Sequence, residues 1–302
     1  MDWLNLSKIN FSPIGYSSIT FLNSFSMLII SPPHKSIAYF FQYIKFNLTK
    51  FCVIISWGDD MFLNKNLYYE IDVLKNLGLT AIYSTMEAGS PAPYNNPNGL
   101  DELKILANVL QKSDKTLVYA KQTHSDNIVI LEDDIARAYS DVDGFFTKRT
   151  DVLLATFYAD CLPIYIYDSK QEIIGLCHSG WVGTHKGIGS KMLDIFIDKY
   201  KSNKEDLIIV LGIGIGHCCY EVSEDFYDKF NTVSNEELMN KSFYRKKNQL
   251  YFNNEDYNYY KFKQLGITSV FKSNKCTYCS GNFHSFRRDK ENSGRNVALL
   301  GF

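Results

Sequence analysis

The sequence predicts an α/β protein with one main domain, residues 67–302, behind an N-terminal extension of residues 1–66. Three observations predict it. From residue 67 onward, short apolar runs alternate with segments of helical period. A chain of 302 residues that is 45% hydrophobic can bury a full core. Apolar strands also end repeatedly in a polar ligand or a glycine turn, where α/β proteins place their sites.

The extension is rich in Ser, Asn and Phe, contains Pro32-Pro33, and shows no sustained period. Its run from Ile19 to Ile30 resembles a weak signal core, but Thr20, Asn23, Ser24 and Ser26 interrupt it and only Lys8 lies upstream. A cytoplasmic protein is therefore expected, with organelle targeting through residues 1–50 as the minor alternative. The Asn47-Leu48-Thr49 sequon matters only under that alternative. No run reaches the roughly 20 apolar residues of a membrane span.

Strands are expected at 115–121 and 127–131, on either side of His124. Two more are expected at 152–159 and 163–167, interrupted by Asp160-Cys161, and another at 172–177 leads to His178 and a glycine-rich turn. Ile188, Met192, Ile195 and Phe196 then repeat at i, i+4, i+7 and i+8, one stripe of a helix with Lys191, Asp194 and Lys199 outside it. A buried strand at 207–211 runs into Gly212, Gly214 and Gly216. That spacing is not G-x-G-x-x-G, and no dinucleotide site is predicted.

Lys+Arg at 32 against Asp+Glu at 33 leaves a net charge of -1, which lacks the basic excess of a nucleic-acid binder. No nucleic-acid or membrane partner is expected, and the oligomeric state stays open. The 7 cysteines are an odd number with uneven spacing in a chain too long to need staples, so metal ligation, catalysis or packing is expected of them. Cys276 and Cys279 form a C-x-x-C without a second such pair. They are expected to be packed or weakly redox-active thiols rather than a zinc ribbon.

Three soft ligands carry the chemistry: His124 in Lys-Gln-Thr-His-Ser-Asp, Cys161 in Tyr-Ala-Asp-Cys-Leu-Pro, and His178 in Cys-His-Ser-Gly-Trp-Val-Gly. Two imidazoles and a thiolate make a zinc site with one position open, the catalytic rather than the closed type. Copper is a possible adventitious occupant. The alternative reading of Cys161 is a nucleophile activated by histidine, but a zinc-bound thiolate is a poor one, and two histidines favour ligation. Asp160 is either a proton donor or orienter for the site, or a turn residue binding backbone N–H groups. Gln122 either orients His124 and substrate or is a surface amide; Trp181 floors the pocket or packs in the core. Ser285 binds ligand or satisfies backbone. His185 and His217 lie on glycine-rich loops that can approach the site. Arg287, Arg288 and Arg295 are a cationic group suited to phosphate or to a solvated face.

In these words the chain resembles the YfiH-type laccase-domain family, also called the multicopper polyphenol oxidase family, over roughly residues 67–302. Gly212 to Val222, Cys276-Thr277, Phe286-Arg-Arg-Asp289 and Gly294-Arg295 complete the match. The resemblance implies a layered mixed-sheet α/β sandwich of cysteine-hydrolase type. It also implies a zinc enzyme that phosphorolyses adenosine, inosine and methylthioadenosine and deaminates adenosine, with purine nucleoside and phosphate as partners. Carried over by position, His124, Cys161 and His178 hold the metal; from their chemistry and their place beside it, Cys161, Asp160 and Arg288 are the residues expected to be catalytic. Gln122, Trp181 and Ser285 contact substrate. The family's older name fails on arithmetic, because 6 histidines cannot furnish both a blue-copper and a trinuclear centre. Hydrolysis of amide or amino-acyl conjugates and non-catalytic metabolite binding are the rival functions.

Two departures stand out. Where the family carries an arginine before a glycine turn this chain has Met86, and where it carries Arg or Lys after the tryptophan this chain has Val182. Reduced phosphate affinity is expected, partly rebuilt from His185, Lys186 or the C-terminal arginines.

Overall fold

The computed structural model describes residues 61–302 and, before them, the antiparallel pair Ile19–Phe21 and Leu28–Ile30. The sequon and most of the extension lie outside the described residues, and so does much of the weak signal-like run. One compact unit spans Phe62–Phe302, and its first strand, Phe62–Asn64, pairs with Tyr68–Ile71. The sheet thus starts a few residues before position 67.

The expected strands are found within a residue or two. A seven-stranded sheet runs in the order Phe62–Asn64, Tyr68–Ile71, Thr80–Ser84, Asn296–Gly301, Val152–Tyr158, Thr116–Lys121, Ala138–Ser140. A six-stranded sheet runs Ser269–Lys272, Leu207–Leu211, Leu162–Asp168, Ile173–Ser179, Gly144–Thr147, Ile128–Leu131. Both are mixed, with parallel pairs toward their edges.

Val152–Tyr158 and Leu162–Asp168 are buried along their whole length, because each is covered on both faces. Leu153, Ala155 and Phe157 pack under the helix Gly99–Val109 through Leu103 and Leu106. The opposite parity meets the other sheet, where the Tyr165 hydroxyl donates to the Ile82 carbonyl at 2.8 Å and the Tyr158 hydroxyl to the Cys177 carbonyl at 3.2 Å. On the outer face of the six-stranded sheet, Ile164, Ile166 and Ile209 meet Ile188, Met192 and Phe196. Each such side chain contributes about 1.5–3 kcal/mol by burial. Gly175 sits mid-strand because a Cβ there would lie 3.0 Å from Met192 Sδ. The layers are therefore helix, sheet, sheet, helix, the mixed α/β sandwich expected.

The predicted stripe is a helix over Ile188–Asp194 that widens into a π-helical turn at Ile195–Lys199. Residues 221–265, whose elements are not expected from the sequence, form a three-stranded sheet (Glu221–Val222, Gln249–Phe252, Phe243–Lys246) with three helices. Phe226, Phe230, Phe243 and Phe252 fill its core. Among the described residues no helix is long and apolar enough to cross a membrane.

Candidate metal-centred active site

The site lies where the two sheets exchange strands. Val152–Tyr158 belongs to the seven-stranded sheet and Leu162–Asp168 to the six-stranded one, so Ala159-Asp160-Cys161 is the crossover between layers. Asp160 makes that turn at φ 86°, in the left-handed region that most residues avoid. His124 follows the strand Thr116–Lys121, also left-handed at φ 61°. His178 ends the strand Ile173–Ser179 opposite Pro163. The ligand atoms of His124, Cys161 and His178 all fall within 4.8 Å of one another.

Asp143, which the sequence reading missed, builds this geometry. It is fully buried. Its Oδ1 lies 2.7 Å from His178 Nδ1 and accepts from the His124 N–H at 3.2 Å. Its Oδ2 accepts from the Ser125 N–H at 2.8 Å, the Ser125 hydroxyl at 2.7 Å and the Thr123 N–H at 3.2 Å. One carboxylate therefore holds the His178 ring and the His124 loop together. With Nδ1 engaged, Nε2 is the His178 nitrogen left for a metal. The available signal was Asp143-Gly144-Phe145-Phe146, an acid at the mouth of an apolar strand.

The electrostatics are those of a thiolate–imidazolium pair. Burial pushes the Cys161 thiol up, but His178 and then His124 outweigh it and bring the pKa down to about 6. Burial pushes the His178 imidazole down, and the Cys161 thiolate and Asp143 carboxylate outweigh it, raising the pKa to about 9. Removing a cation from a site that favours a thiolate this strongly leaves a reactive sulfur.

The donor set fits zinc. Bonds of about 2.3 Å to sulfur and 2.0–2.1 Å to nitrogen put the two donors of a tetrahedral ion about 3.6 Å apart. Cys161 Sγ and His124 Nε2 are 3.7 Å apart. Gly180 keeps the space open, since a Cβ there would come within 2.7 Å of His124 Cδ2 and 3.0 Å of Cys161 Sγ.

His124, Cys161 and His178 line a pocket of about 480 Å³ together with Gln122, Asp160 and Trp181. Gln122 spends its amide on the backbone, donating to the Phe157 carbonyl at 2.9 Å and accepting the Phe157 N–H at 2.7 Å. Asp160 accepts the Thr277 hydroxyl and the Arg287 N–H, each at 2.6 Å, so its carboxylate ties the C-terminal segments to the crossover. Trp181 opens the helix Trp181–Lys186 and packs on Phe226 at 5.4 Å between centroids.

Of the three arginines, Arg287 and Arg295 line this pocket, whereas Arg288 faces a neighbouring cleft beside Met86 and His284. Arg288 donates to the carbonyls of Phe283 at 2.8 Å and Tyr278 at 3.0 Å and pairs with Asp289 at 2.7 Å. Ser285 is fully buried and caps the helix Phe286–Asp289, its hydroxyl accepting the Arg288 N–H. His217 stacks on Tyr244 and His185 packs edge-on to Phe230, and neither lines the pocket. Met86 and Val182 are likewise outside its lining.

The molecule is thus an α/β sandwich with two imidazoles and a thiolate, a candidate metal site, at the seam between its sheets. The chain belongs to the multi-copper polyphenol oxidoreductase laccase family, whose sequence pattern matches residues 78–302. It is similar to a purine nucleoside phosphorylase of Borreliella burgdorferi, 40% identical over 62% of this chain and 79% of the relative. It is also similar to purine nucleoside phosphorylase YlmD of Bacillus subtilis, 29% identical over 65% and 74% of the two chains. The crystal structure of Bacillus licheniformis YfiH superposes with TM-score 0.74 at 28% identity, covering 81% of this chain and all of that one (100%). That of Geobacillus stearothermophilus YlmD gives 0.74 at 25%, covering 80% and 99%.

Proposed function

We propose that this chain is a cytoplasmic zinc enzyme of purine nucleosides. It phosphorolyses adenosine, inosine or methylthioadenosine to free base and ribose 1-phosphate (or its methylthio analogue), and it deaminates adenosine. The observation that carries this reading is the pairing of the His124–Cys161–His178 cluster with Arg287 and Arg295 in one pocket. The names borne by its relatives support the nucleoside class.

In this reading Tyr94, Phe157, Trp181 and Tyr220 supply apolar faces for a purine. Arg287 spends one nitrogen on the Glu221 carbonyl at 3.0 Å and Arg295 one on the Ser293 and Gly294 carbonyls at 2.8 and 2.9 Å. Their remaining N–H groups are offered to phosphate, whose oxygen bonds to C1′ of the ribose as the glycosidic bond breaks toward the base. Zinc, when held by His124, Cys161 and His178, supplies a Lewis acid at the pocket floor. Asp160 positions Cys161 and Arg287 through its backbone and its two hydrogen bonds, and Gln122 fixes the strand that leads to His124. Arg288 and Ser285 act through the wall they hold together. The same reading treats residues 67–302 as one cysteine-hydrolase-type sandwich domain.

The test is chromatography of products from adenosine with zinc-loaded protein and phosphate. Adenine plus ribose 1-phosphate is the expected result, and inosine would add deamination. Neither product, from folded and metal-bound protein, would refute the reading and favour amide hydrolysis or ligand binding alone. A phosphate KM equal to that of relatives with arginine at the Met86 position would refute weakened phosphate binding.

A further inference from the structure

A second cluster lies outside this chemistry. The sulfurs of Cys218, Cys219, Cys276 and Cys279 all fall within 4.8 Å of one another. The sequence offers Cys276 and Cys279 as a C-x-x-C without a partner, because the second pair is two adjacent cysteines more than fifty residues earlier. We propose that these four thiolates form a closed, structural zinc site that cross-links two turns beside the active pocket.

Dimensions support an ion. A tetrahedral zinc with bonds of about 2.3 Å sets its sulfurs about 3.8 Å apart. Cys218 and Cys279 Sγ are 3.7 Å apart, too far for a covalent disulfide bond and right for an edge of that tetrahedron. All-sulfur tetrahedral donors select zinc or iron over harder ions.

The backbone is arranged for it. Gly214 and Cys276 form a parallel bridge, and the Thr277 N–H donates to the Gly214 carbonyl at 3.0 Å. That bridge aligns the two cysteine-bearing turns. The Gly216 N–H donates to Cys276 Sγ at 3.3 Å, and the backbone of Tyr278 and Cys279 also favours its thiolate form. A backbone donor on the sulfur compensates a thiolate that keeps its charge. Packing does not account for the cluster, since Cys218 and Cys279 are exposed and Cys219 is half-buried. Four sulfurs gathered at a surface, one of them accepting a backbone amide, are a ligand set.

The consequence is local. Ile215 and Tyr220, on either side of Cys218-Cys219, line the pocket, and Thr277, next to Cys276, donates to Asp160 beside Cys161. An ion there pins the pocket wall to the layer crossover without touching substrate. No turnover depends on it directly.

The test uses the full chain purified under reducing, oxygen-free conditions, with metal content by mass spectrometry. Two zinc ions per chain are expected in the unaltered protein. One should remain in Cys161→Ser and one in the Cys218→Ser/Cys279→Ser double variant. Cobalt loaded into Cys161→Ser should show tetrahedral d–d bands and intense thiolate charge transfer. If the double variant does not fold, the Cys161→Ser protein still decides. Folded Cys161→Ser without metal, iron in place of zinc, or a mapped Cys218–Cys279 disulfide under these conditions would each overturn the proposal. Stoichiometry is read without turnover, so failure of the nucleoside reading would leave this result standing.

Discussion

Asp143 Oδ1 sits 2.7 Å from His178 Nδ1 while the same carboxylate accepts the backbone N–H groups of Thr123, His124 and Ser125. One buried side chain thereby sets both the His178 ring and the His124 loop. Asp143→Asn keeps the shape but loses an acceptor lone-pair set and the negative charge. Zinc affinity should fall about 10- to 100-fold, as for other partners of metal-bound histidines. Competition titration against a chromophoric chelator measures it. An unchanged affinity would remove Asp143 from the site.

The metal-free site should hold a thiolate at neutral pH. The folded pKa of Cys161, about 6, lies below the ordinary thiol value, so its nucleophilicity is present above that pH and lost as pH falls through it. Alkylation of Cys161 in stripped protein should rise with a midpoint near 6 rather than the usual value of about 8.5. Zinc should protect the sulfur. A midpoint at the ordinary value would show that the imidazoles do not act on it.

His178 makes the complementary prediction. Its folded pKa of about 9 keeps the ring protonated at pH 7.5 while Cys161 is already deprotonated. Zinc must displace that one proton, so binding should release about one proton per ion at this pH. Calorimetry in buffers of different ionisation enthalpy counts it, repeated at about pH 6.5 where water on an open zinc stays largely un-ionised, and release of none would show that the His178 ring is neutral in the metal-free site.

Gly180→Ala tests the shape of the site without altering a donor. The added methyl would approach His124 Cδ2 and Cys161 Sγ at 2.7 and 3.0 Å. A bound ion holds both ligands in place, so neither can retreat. Metal affinity should drop at least about tenfold with circular dichroism unchanged, a misplacement cost typical of a site that needs its ligands positioned closely.

The arginines should separate by role. Arg287→Gln and Arg295→Gln should raise the phosphate KM, because these two line the pocket. Arg288→Ala should instead lower stability by about 1–3 kcal/mol, since its guanidinium satisfies the Phe283 and Tyr278 carbonyls and the Asp289 carboxylate. Thermal unfolding and initial rates distinguish the two outcomes. Adjacent residues in a short helix point to different sides, and only the fold says which side is the pocket.

Six strands around the site, and the three soft donors to be read together, were legible in the sequence. Apolar runs as continuous as 152–158 and 207–211 have few ways to be buried, and His124, Cys161 and His178 sit in flanks specific enough to be read together. The tertiary structure alone decided the rest. It showed that Asp160-Cys161 is the point where the chain changes sheets, that Asp143 organises both histidines, and that Arg287 rather than Arg288 lines the pocket. It also gathered Cys218 and Cys219 with Cys276 and Cys279. The reason is physical: periodicity reports which face of one element is buried, whereas a site is made by side chains from different elements. Their meeting depends on sheet order and crossover, which no local pattern encodes.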